Sequence, residues 1–293
     1  MDNIIINADC IKHLKTIEDN YFDSVVTDPP YHLTSIAKRF TNGPAAKHGK
    51  DGSFQRLSKG FMGQEWDGGD IAFTTDIWKE VYRTIKPGSV LLAFAATKNY
   101  HKMATAIENS GFEIMDMINW IYGSGFPKRK NLLKPAHEPI VMARKGVNKD
   151  LNLDDCRVNG DNPKKWTKPK GGFWVTESNI KSEYVENTKG RWPANIIHDG
   201  LDEEWARYFY SAKASKKEKD GSDHPTVKPL DLMKYLVRLV TPKDGLVLDP
   251  FAGTGTTGEA CILEGRKYYL IEKTPDYMKD IEKRLNKYNK AFI

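Results

Sequence analysis

The sequence predicts an α/β fold built on a mostly parallel β-sheet. Segments typical of strands and helices alternate at short spacing in the first part of the chain and again near its end. The run Ser89–Ala95 is continuously apolar, as expected for a strand that is buried on both faces of a sheet. Such alternation favours parallel strands that are joined by right-handed helical crossovers.

The first part of the chain supplies most of the predicted elements. Thr75 is expected to cap a helix, and Lys86–Gly88 is expected to stop it, because proline and glycine both end helices. The other predicted elements are the strand Asn3–Ile6, the helix Ile11–Ile17, the strand Asp23–Thr27, the helix Tyr100–Glu108 and the strand Phe112–Ile121.

The last part of the chain repeats this pattern. Pro229 opens a helix with an apolar face, and Thr274 caps a terminal helix that has Pro275 in its first turn. Between them lie the predicted strand Leu246–Asp249, the helix Thr256–Leu263 and the strand Lys267–Glu272.

Two segments break the alternation. Residues 124–222 contain one predicted strand, Ile140–Arg144, and otherwise combine basic residues with tryptophans, which suits nucleic acid or a small core of their own. Residues 32–69 form a long basic loop, which we expect to be a lid or an arm that contacts phosphates. Its basic residues are Lys38, Arg39, Lys47, Lys50, Arg56 and Lys59.

The composition limits the class of protein. A chain of 293 residues with 39% hydrophobic residues can form a large core, and its net charge of +6 gives weak support to a polyanionic partner. The three cysteines have no metal-ligand or redox spacing, and the histidines have no ligand spacing, so we expect no metal. Since no apolar run can span a bilayer and no signal peptide is recognisable, we expect a soluble protein of the cell interior.

A proline-rich turn follows the second predicted strand. The sequence Asp28-Pro29-Pro30-Tyr31 leaves the sheet rigidly, because two prolines remove backbone donors and prevent a helix. This geometry predicts that Asp28 has no local partner and that Tyr31 forms a flat wall. Acceptors beside an aromatic face suit a planar group that carries an NH₂.

A glycine-rich loop lies between a predicted strand and a predicted helix near the end of the chain. Gly253, Gly255 and Gly258 match G-x-G-x-x-G, and Glu272 ends the next strand, which is the context of a dinucleotide site. However, a carboxylate at Asp249 would repel a pyrophosphate, whereas it can accept from an ammonium group. A cofactor with a ribose and an ammonium group but no phosphate is S-adenosylmethionine, which the glycines would let approach the backbone closely.

Together these motifs resemble those of the DNA amino-methyltransferases in the circularly permuted order called the β group. The turn at residues 28–31 precedes the motif Phe251-Ala252-Gly253-Thr254-Gly255, as in that family, and His224–Pro229 and Ala8–Cys10 match further family segments. The resemblance implies a Rossmann-like S-adenosylmethionine-dependent methyltransferase fold. Residues 1–123 and 223–293 would form the catalytic domain, and residues 124–222 an inserted target-recognition region.

The resemblance also implies roles for individual residues. Asp28, Pro29, Pro30 and Tyr31 would hold the amine of a flipped base, and Arg191 would contact DNA together with the basic loop. Lys228 is expected to reach the cofactor or a neighbouring carboxylate, or else to be a surface lysine. Asp9 would contact the cofactor's adenine, although an N-cap of the following helix is an equal alternative. The predicted cofactor-binding residues are Asp9, Cys10, Asp28, Lys228, Asp249, Phe251, Ala252, Gly253, Gly255, Thr256 and Glu272.

The form of the turn favours adenine as the target base. Asp-Pro-Pro-Tyr is commonest among N6-adenine enzymes of this family, whereas N4-cytosine enzymes more often have serine in place of Asp28. Methylation at carbon 5 of cytosine is disfavoured, because no cysteine of this chain follows a proline. A nicotinamide or flavin oxidoreductase and a non-catalytic nucleic-acid-binding protein are the other classes considered.

The family also suggests the protein's surroundings. We expect double-stranded DNA as the partner, homodimers in some members, and a location in the cytoplasm of a bacterial or phage-infected cell.

Overall fold

Nine strands form one sheet in the computed structural model, which describes residues 3–31, 70–122, 133, 135–147, 149–158, 190–198, 209–210 and 227–289. The strands are β1 (Ile4–Asn7), β2 (Phe22–Thr27), β3 (Ile85–Phe94), β4 (Glu113–Ile121), β5 (His137–Arg144), β6 (Ile196–His198), β7 (Phe209–Tyr210), β8 (Leu246–Asp249) and β9 (Lys267–Glu272). Their order is β1-β9-β8-β2-β3-β5-β4-β6-β7. β5 is antiparallel to both neighbours, and the other pairs are parallel, so the predicted mostly parallel sheet is confirmed.

Helices cover both faces of this sheet. They are α1 (Cys10–Leu14), α2 (Thr75–Thr84), α3 (Tyr100–Glu108), α4 (Leu230–Val240), α5 (Thr256–Leu263) and α6 (Pro275–Asn289). Successive strand residues point to opposite faces, so Val25 packs with α1, α2 and α3 and Val26 with α4, α5 and α6. Within the described residues, no helix is long and apolar enough to cross a membrane.

Helix α2 ends earlier than its sequence predicts. Thr75 is its first residue rather than its cap, and β3 begins directly at Ile85, so Lys86–Gly88 lies within the strand. The register between β2 and β3 shifts at this point, which accommodates the proline and the glycine. The carbonyls of Arg83 and Thr84 accept hydrogen bonds from the backbone of residues 20 and 21, so no glycine cap is needed.

The two ends of the described chain meet at one side of the sheet. β1 is the outermost strand and pairs in parallel with β9, and the Ala8 N–H donates to the Glu272 carbonyl at 3.1 Å. A break between these strands leaves the hydrogen bonding of the sheet intact, which is the physical condition for a permuted order.

One predicted boundary needs correction. Residues 137–144 were assigned to the inserted region 124–222, but they form β5, which lies between β3 and β4 inside the sheet. β6 pairs in parallel with β4 and extends the same sheet. Most of the remaining region, and the whole basic loop 32–69, lie outside the described residues.

Candidate active site

The two predicted motifs leave the sheet side by side. β2 and β8 are parallel neighbours, so the turn Asp28–Tyr31 and the loop Pro250–Gly255 start at the same edge. Glu272 ends β9 and Asp9 follows β1, the next two strands in the sheet. We call this side, where the parallel strands end, the carboxyl edge. Ligands of such sheets bind at this edge, which makes it the candidate active site.

Asp249 joins the two motifs through a buried carboxylate. Its carboxylate is 2% exposed and accepts from the Thr27 hydroxyl at 2.7 Å and from the Phe251 N–H at 3.1 Å. The Thr257 hydroxyl donates to its other oxygen at 2.5 Å. Burial raises the pKa of Asp249 to about 6, although these hydrogen bonds lower it. Asp249 thus ties β2, β8 and α5 together, and its predicted contact with the cofactor's ammonium group stays a prediction.

Asp28 has two partners, contrary to the prediction that it has none nearby. The Tyr31 hydroxyl donates to its Oδ1 at 2.6 Å, and the Lys228 ammonium donates to its Oδ2 at 2.6 Å. The second partner is 200 positions away in the sequence, which is why the turn by itself gave no sign of it. The side chain of Asp28 keeps 22% of its surface exposed, so it remains accessible to a ligand.

Tyr31 is fixed at both ends. The side-chain amide of Asn99 donates to its backbone carbonyl at 2.8 Å, and its hydroxyl is bonded to Asp28. Burial raises the pKa of Tyr31 well above its ordinary value, and the carboxylates of Asp28 and Glu138 raise it further. The hydroxyl therefore stays protonated and acts as a donor. The Lys228 ammonium donates to this hydroxyl at 3.2 Å and lies 5.4 Å from the ring centroid, at the hydroxyl end of the ring.

Lys228 is a buried cation shared by two carboxylates. It is 7% exposed, and its ammonium lies 3.3 Å from Glu138 in addition to Asp28. Burial lowers the pKa of Lys228, but the two carboxylates outweigh this effect, and the net shift is upward. Of its predicted alternatives, the neighbouring carboxylate is the one found. Glu138 was not among the predicted site residues, because the strand β5 was expected to begin at Ile140. An acidic residue at the start of this strand is the sequence signal that could have identified it.

The glycine loop is shaped by helix packing as well as by its backbone conformation. Gly253 and Gly255 have φ angles of +53° and +79°. A Cβ on Gly255 would lie 3.1 Å from Ile281 of α6, and one on Gly258 would lie 2.8 Å from Leu270 of β9. At these two positions the missing side chains make room for the protein's own core, and the predicted close approach of the cofactor to the loop backbone stays a prediction.

A buried ion pair anchors this loop to the terminal helix. The Arg284 side chain donates to the Thr254 carbonyl at 2.9 Å and to the Glu259 carboxylate at 2.6 Å. The Tyr288 hydroxyl donates to the other Glu259 oxygen at 2.8 Å. Arg284 was not among the predicted site residues, although a charged residue within the apolar stripe of a helix is a recognisable signal.

Two acids lie at the ends of the neighbouring strands β1 and β9. The Glu272 carboxylate is 8% exposed and accepts from the Gly253 N–H at 2.8 Å and from the Thr274 N–H at 2.7 Å. Burial raises the pKa of Glu272, and these N–H groups lower it. Asp9 accepts from the Lys12 N–H at 3.2 Å and so caps α1, as one of its two predicted alternatives states.

The remaining predicted cofactor residues contribute mainly backbone to the carboxyl edge. Cys10, Ala252 and Thr256 are buried, and Phe251 packs against the core. Burial raises the pKa of Cys10 to about 12, and the adjacent Asp9 raises it further, so the thiol stays protonated. These side chains pack in or against the core next to the loop.

Arg191 is not brought together with the catalytic turn. Its backbone pairs with that of Val158 in an isolated bridge. The segment before Val158 is held by Asn152, whose side-chain amide donates to the Thr241 carbonyl at 2.7 Å. Thr241 follows the end of α4, whereas the catalytic turn lies near its start. The other predicted DNA-binding residues, Lys38, Arg39, Lys47, Lys50, Arg56 and Lys59, lie outside the described residues.

Solved structures of DNA methyltransferases share this fold. The PvuII DNA methyltransferase, described as cytosine-N4-specific, matches with a TM-score of 0.59 at 17% identity, over 99% of this chain and 92% of that one. A complex of M1.HpyAVI with S-adenosylmethionine matches with a TM-score of 0.53 at 18% identity, over 96% and 98% of the two chains. The fold is therefore the Rossmann-like methyltransferase fold.

The sequence is also similar to that of type II methyltransferases. M.HindIII from Haemophilus influenzae is 28% identical over 301 residues, which cover 93% of this chain and 92% of that protein. M.HpaI from Haemophilus parainfluenzae is 27% identical over 288 residues, which cover 98% and 75%. A family model described as DNA methylase, for N6 and N4 methyltransferases, matches residues 22–283. The chain belongs to this N6/N4 DNA methylase family.

Membership in this family establishes the type of reaction. The protein is an S-adenosylmethionine-dependent DNA amino-methyltransferase, and DNA is its substrate. The oxidoreductase suggested by the glycine loop alone does not agree with membership in this family.

The carboxyl edge fits this cofactor. The carboxylate of Glu272 ends β9 at this edge, and a carboxylate is the type of group that accepts from ribose hydroxyls. Helix α5 begins at Thr256 after the N-cap Gly255, and no side chain caps it, so its first N–H groups suit the carboxylate of an amino acid.

Proposed function

We propose that this enzyme methylates the exocyclic N6 amine of an adenine that is flipped out of double-stranded DNA. The observation that carries the proposal is Asp28, a partly exposed carboxylate in an Asp-Pro-Pro-Tyr turn, directly beside the loop of the cofactor strand. An amine inside a base pair is out of reach, so the base must leave the stack, which takes a few kcal/mol of unstacking.

The residues of the turn would prepare the amine for attack. The carboxylate of Asp28 and the carbonyl of Pro29 would accept its two N–H groups and draw the nitrogen toward an sp³ geometry. Tyr31 would pack on the base with a face of its ring, since the Lys228 ammonium lies at the hydroxyl end. S-adenosylmethionine, when bound, supplies an electrophilic methyl group. Positioning is the main catalytic contribution of the protein, and no covalent enzyme intermediate is needed.

The cofactor-binding roles follow from the same edge. We propose that Glu272 holds the ribose, that Asp9 lies at the adenine, and that the backbone of Phe251–Thr256 contacts the amino-acid part. The basic loop 32–69 and Arg191 would contact DNA phosphates, and the rest of residues 145–222 would read the bases.

The exocyclic N4 amine of cytosine is the competing target. It presents the same NH₂ group to Asp28, and an enzyme described as cytosine-N4-specific shares the fold. The preference for adenine rests on the Asp at position 28, where N4 enzymes of this family more often have Ser.

Nucleoside analysis tests the target base directly. Unmethylated DNA is incubated with the enzyme and S-adenosylmethionine that carries a deuterated methyl group, and the digested nucleosides are analysed by mass spectrometry. We expect label in N6-methyladenine. Label in N4-methylcytosine would overturn the choice of base but would leave the class of reaction in place.

A further inference from the structure

Two hydrogen-bond donors hold the carboxylate of Asp28 before any substrate arrives. The Tyr31 hydroxyl is bonded to Oδ1 and the Lys228 ammonium to Oδ2, both at 2.6 Å. A carboxylate that is shared with an ammonium group at this distance is a weaker acceptor for a neutral amine. If Asp28 accepts the N–H groups of the target base, the hold of these donors must loosen.

Lys228 cannot simply lose its partner. Its side chain is 7% exposed, and its ammonium packs over the rings of Tyr31 and Phe94, at 5.4 and 4.8 Å from their centroids. A buried ammonium without a counter-ion is strongly unfavourable, since the protein does not replace the lost hydration. Another anion must therefore be within reach whenever Asp28 turns to a substrate.

Glu138 is placed to be that anion. Its Oε2 lies 3.3 Å from the Lys228 ammonium and 3.5 Å from the Tyr31 hydroxyl, so it is next to both donors that hold Asp28. It is the second residue of β5, opposite Trp120 of β4, and its side chain is 22% exposed. The two carboxylates thus lie on either side of one ammonium.

We propose that Glu138 is a positioning residue that takes over Lys228 when Asp28 engages the target amine. The ammonium moves from Asp28 to Glu138, no covalent bond is formed or broken, and Asp28 is left as a free anionic acceptor. This inference rests on the proposed role of Asp28. Glu138 does not itself touch the base; it acts through Lys228.

The exchange predicts a selective defect for Glu138→Gln. The neutral amide cannot compensate the ammonium, so Lys228 stays on Asp28 and opposes binding of the amine. We expect kcat/KM to fall by about 10-fold or more. Affinity for a duplex with the target sequence, in the presence of S-adenosylhomocysteine, should fall as well, whereas affinity for DNA without that sequence should not change. The target sequence itself is read by single-molecule sequencing of DNA from an expressing host.

Two further variants separate this effect from a general disturbance of the sheet. Glu138→Asp keeps the charge and should recover part of the lost activity and affinity. Glu113→Gln on β4 removes a carboxylate that is paired with Arg144 at 2.8 Å, at the opposite end of the same strand pair, and should leave both quantities unchanged. Unaltered thermal unfolding of Glu138→Gln would show that the fold is intact.

A double-mutant cycle with Lys228→Met tests the mechanism. Once the ammonium is absent, there is no charge to transfer, so Glu138→Gln should have no further effect on the affinity for target DNA. Affinity is measured without turnover, so the cycle can be completed even if Lys228→Met is inactive.

An equal effect of Glu138→Gln with and without Lys228 would overturn the inference, as would wild-type activity and affinity of Glu138→Gln. If Asp28→Ala is inactive while Glu138→Gln behaves as wild type, this inference alone fails; if Asp28→Ala is active, the proposed function fails.

Discussion

The hydroxyl of Thr27 donates a 2.7 Å hydrogen bond to the buried carboxylate of Asp249. Thr27 is the last residue of β2, directly before the catalytic turn, and Asp249 is the last residue of β8, directly before the glycine loop. The bond therefore joins the two strands that carry the amine site and the cofactor site. Because it is fully buried, it fixes the relative position of the two motifs before either ligand binds.

Asp249 should make stability depend on pH in a particular direction. Burial raises its pKa from 3.8 to about 6, so the folded state binds a proton that the unfolded state releases. The stability contributed by the protonated form is complete below the unfolded pKa and is lost as the pH rises through the folded value. The free energy of unfolding of the wild type, relative to Asp249→Asn, should fall by about 2 kcal/mol between roughly pH 4 and pH 7.

Urea denaturation of both proteins across this range measures the difference. Asp249→Asn serves as the reference for the wild type, because every other titrating group is common to both proteins. A difference that stays constant with pH would show that Asp249 does not titrate in this range.

Gly255→Ala should destabilise the protein by straining the glycine loop against α6. The residue has a φ of +79°, and the new Cβ would lie 3.1 Å from Ile281. Gly265→Ala is a matched control, with a φ of +66° and nothing within 4 Å of its Cβ. We expect about 1–2 kcal/mol from the backbone in both variants and an additional loss in Gly255→Ala alone, measured by chemical denaturation. Equal losses of stability in the two variants would mean that contact with α6 is not the reason for a glycine at position 255.

Glu272→Gln should weaken cofactor binding. Both carboxylate oxygens accept backbone N–H groups, and an amide presents an NH₂ group to one of them. The glycine loop is then no longer held against the end of β9, and one acceptor for the ribose is lost. We expect the dissociation constant for S-adenosylmethionine to rise about 10-fold or more by isothermal titration calorimetry.

Glu264→Gln provides the control for loss of a partly buried glutamate. This side chain pairs with Arg238 at 2.6 Å, at the end of α5 away from the carboxyl edge. It should lower stability and leave cofactor affinity unchanged. Unchanged affinity of Glu272→Gln would remove Glu272 from the cofactor site.

The elements around the glycine loop could be predicted to the residue. β8, α5 and β9 have the bounds that the sequence indicates, because strand, glycine turn and helix signals follow one another locally. Helix α3 is equally well predicted. In each case the apolar pattern and the residues that end the element lie within the element or directly beside it.

The partners of the site residues could not be predicted, because they come from distant parts of the chain. Lys228 meets Asp28 only when α4 is packed on the sheet, and Glu138 joins them only because β5 is antiparallel and starts at the carboxyl edge. Likewise, the hydrogen bonds of Asp249 could not be predicted from its type and position. Its burial depends on Thr27 and Thr257, which no local pattern reveals.

The most direct test of the central claim is methyl transfer by Asp28→Ala, measured together with cofactor binding. Asp28 is proposed to accept the N–H groups of the amine, so its loss should reduce transfer to DNA by at least about 100-fold. Affinity for S-adenosylhomocysteine should remain close to that of the wild type, since Glu272 and the glycine loop are untouched. Transfer at the wild-type rate by Asp28→Ala would contradict the account.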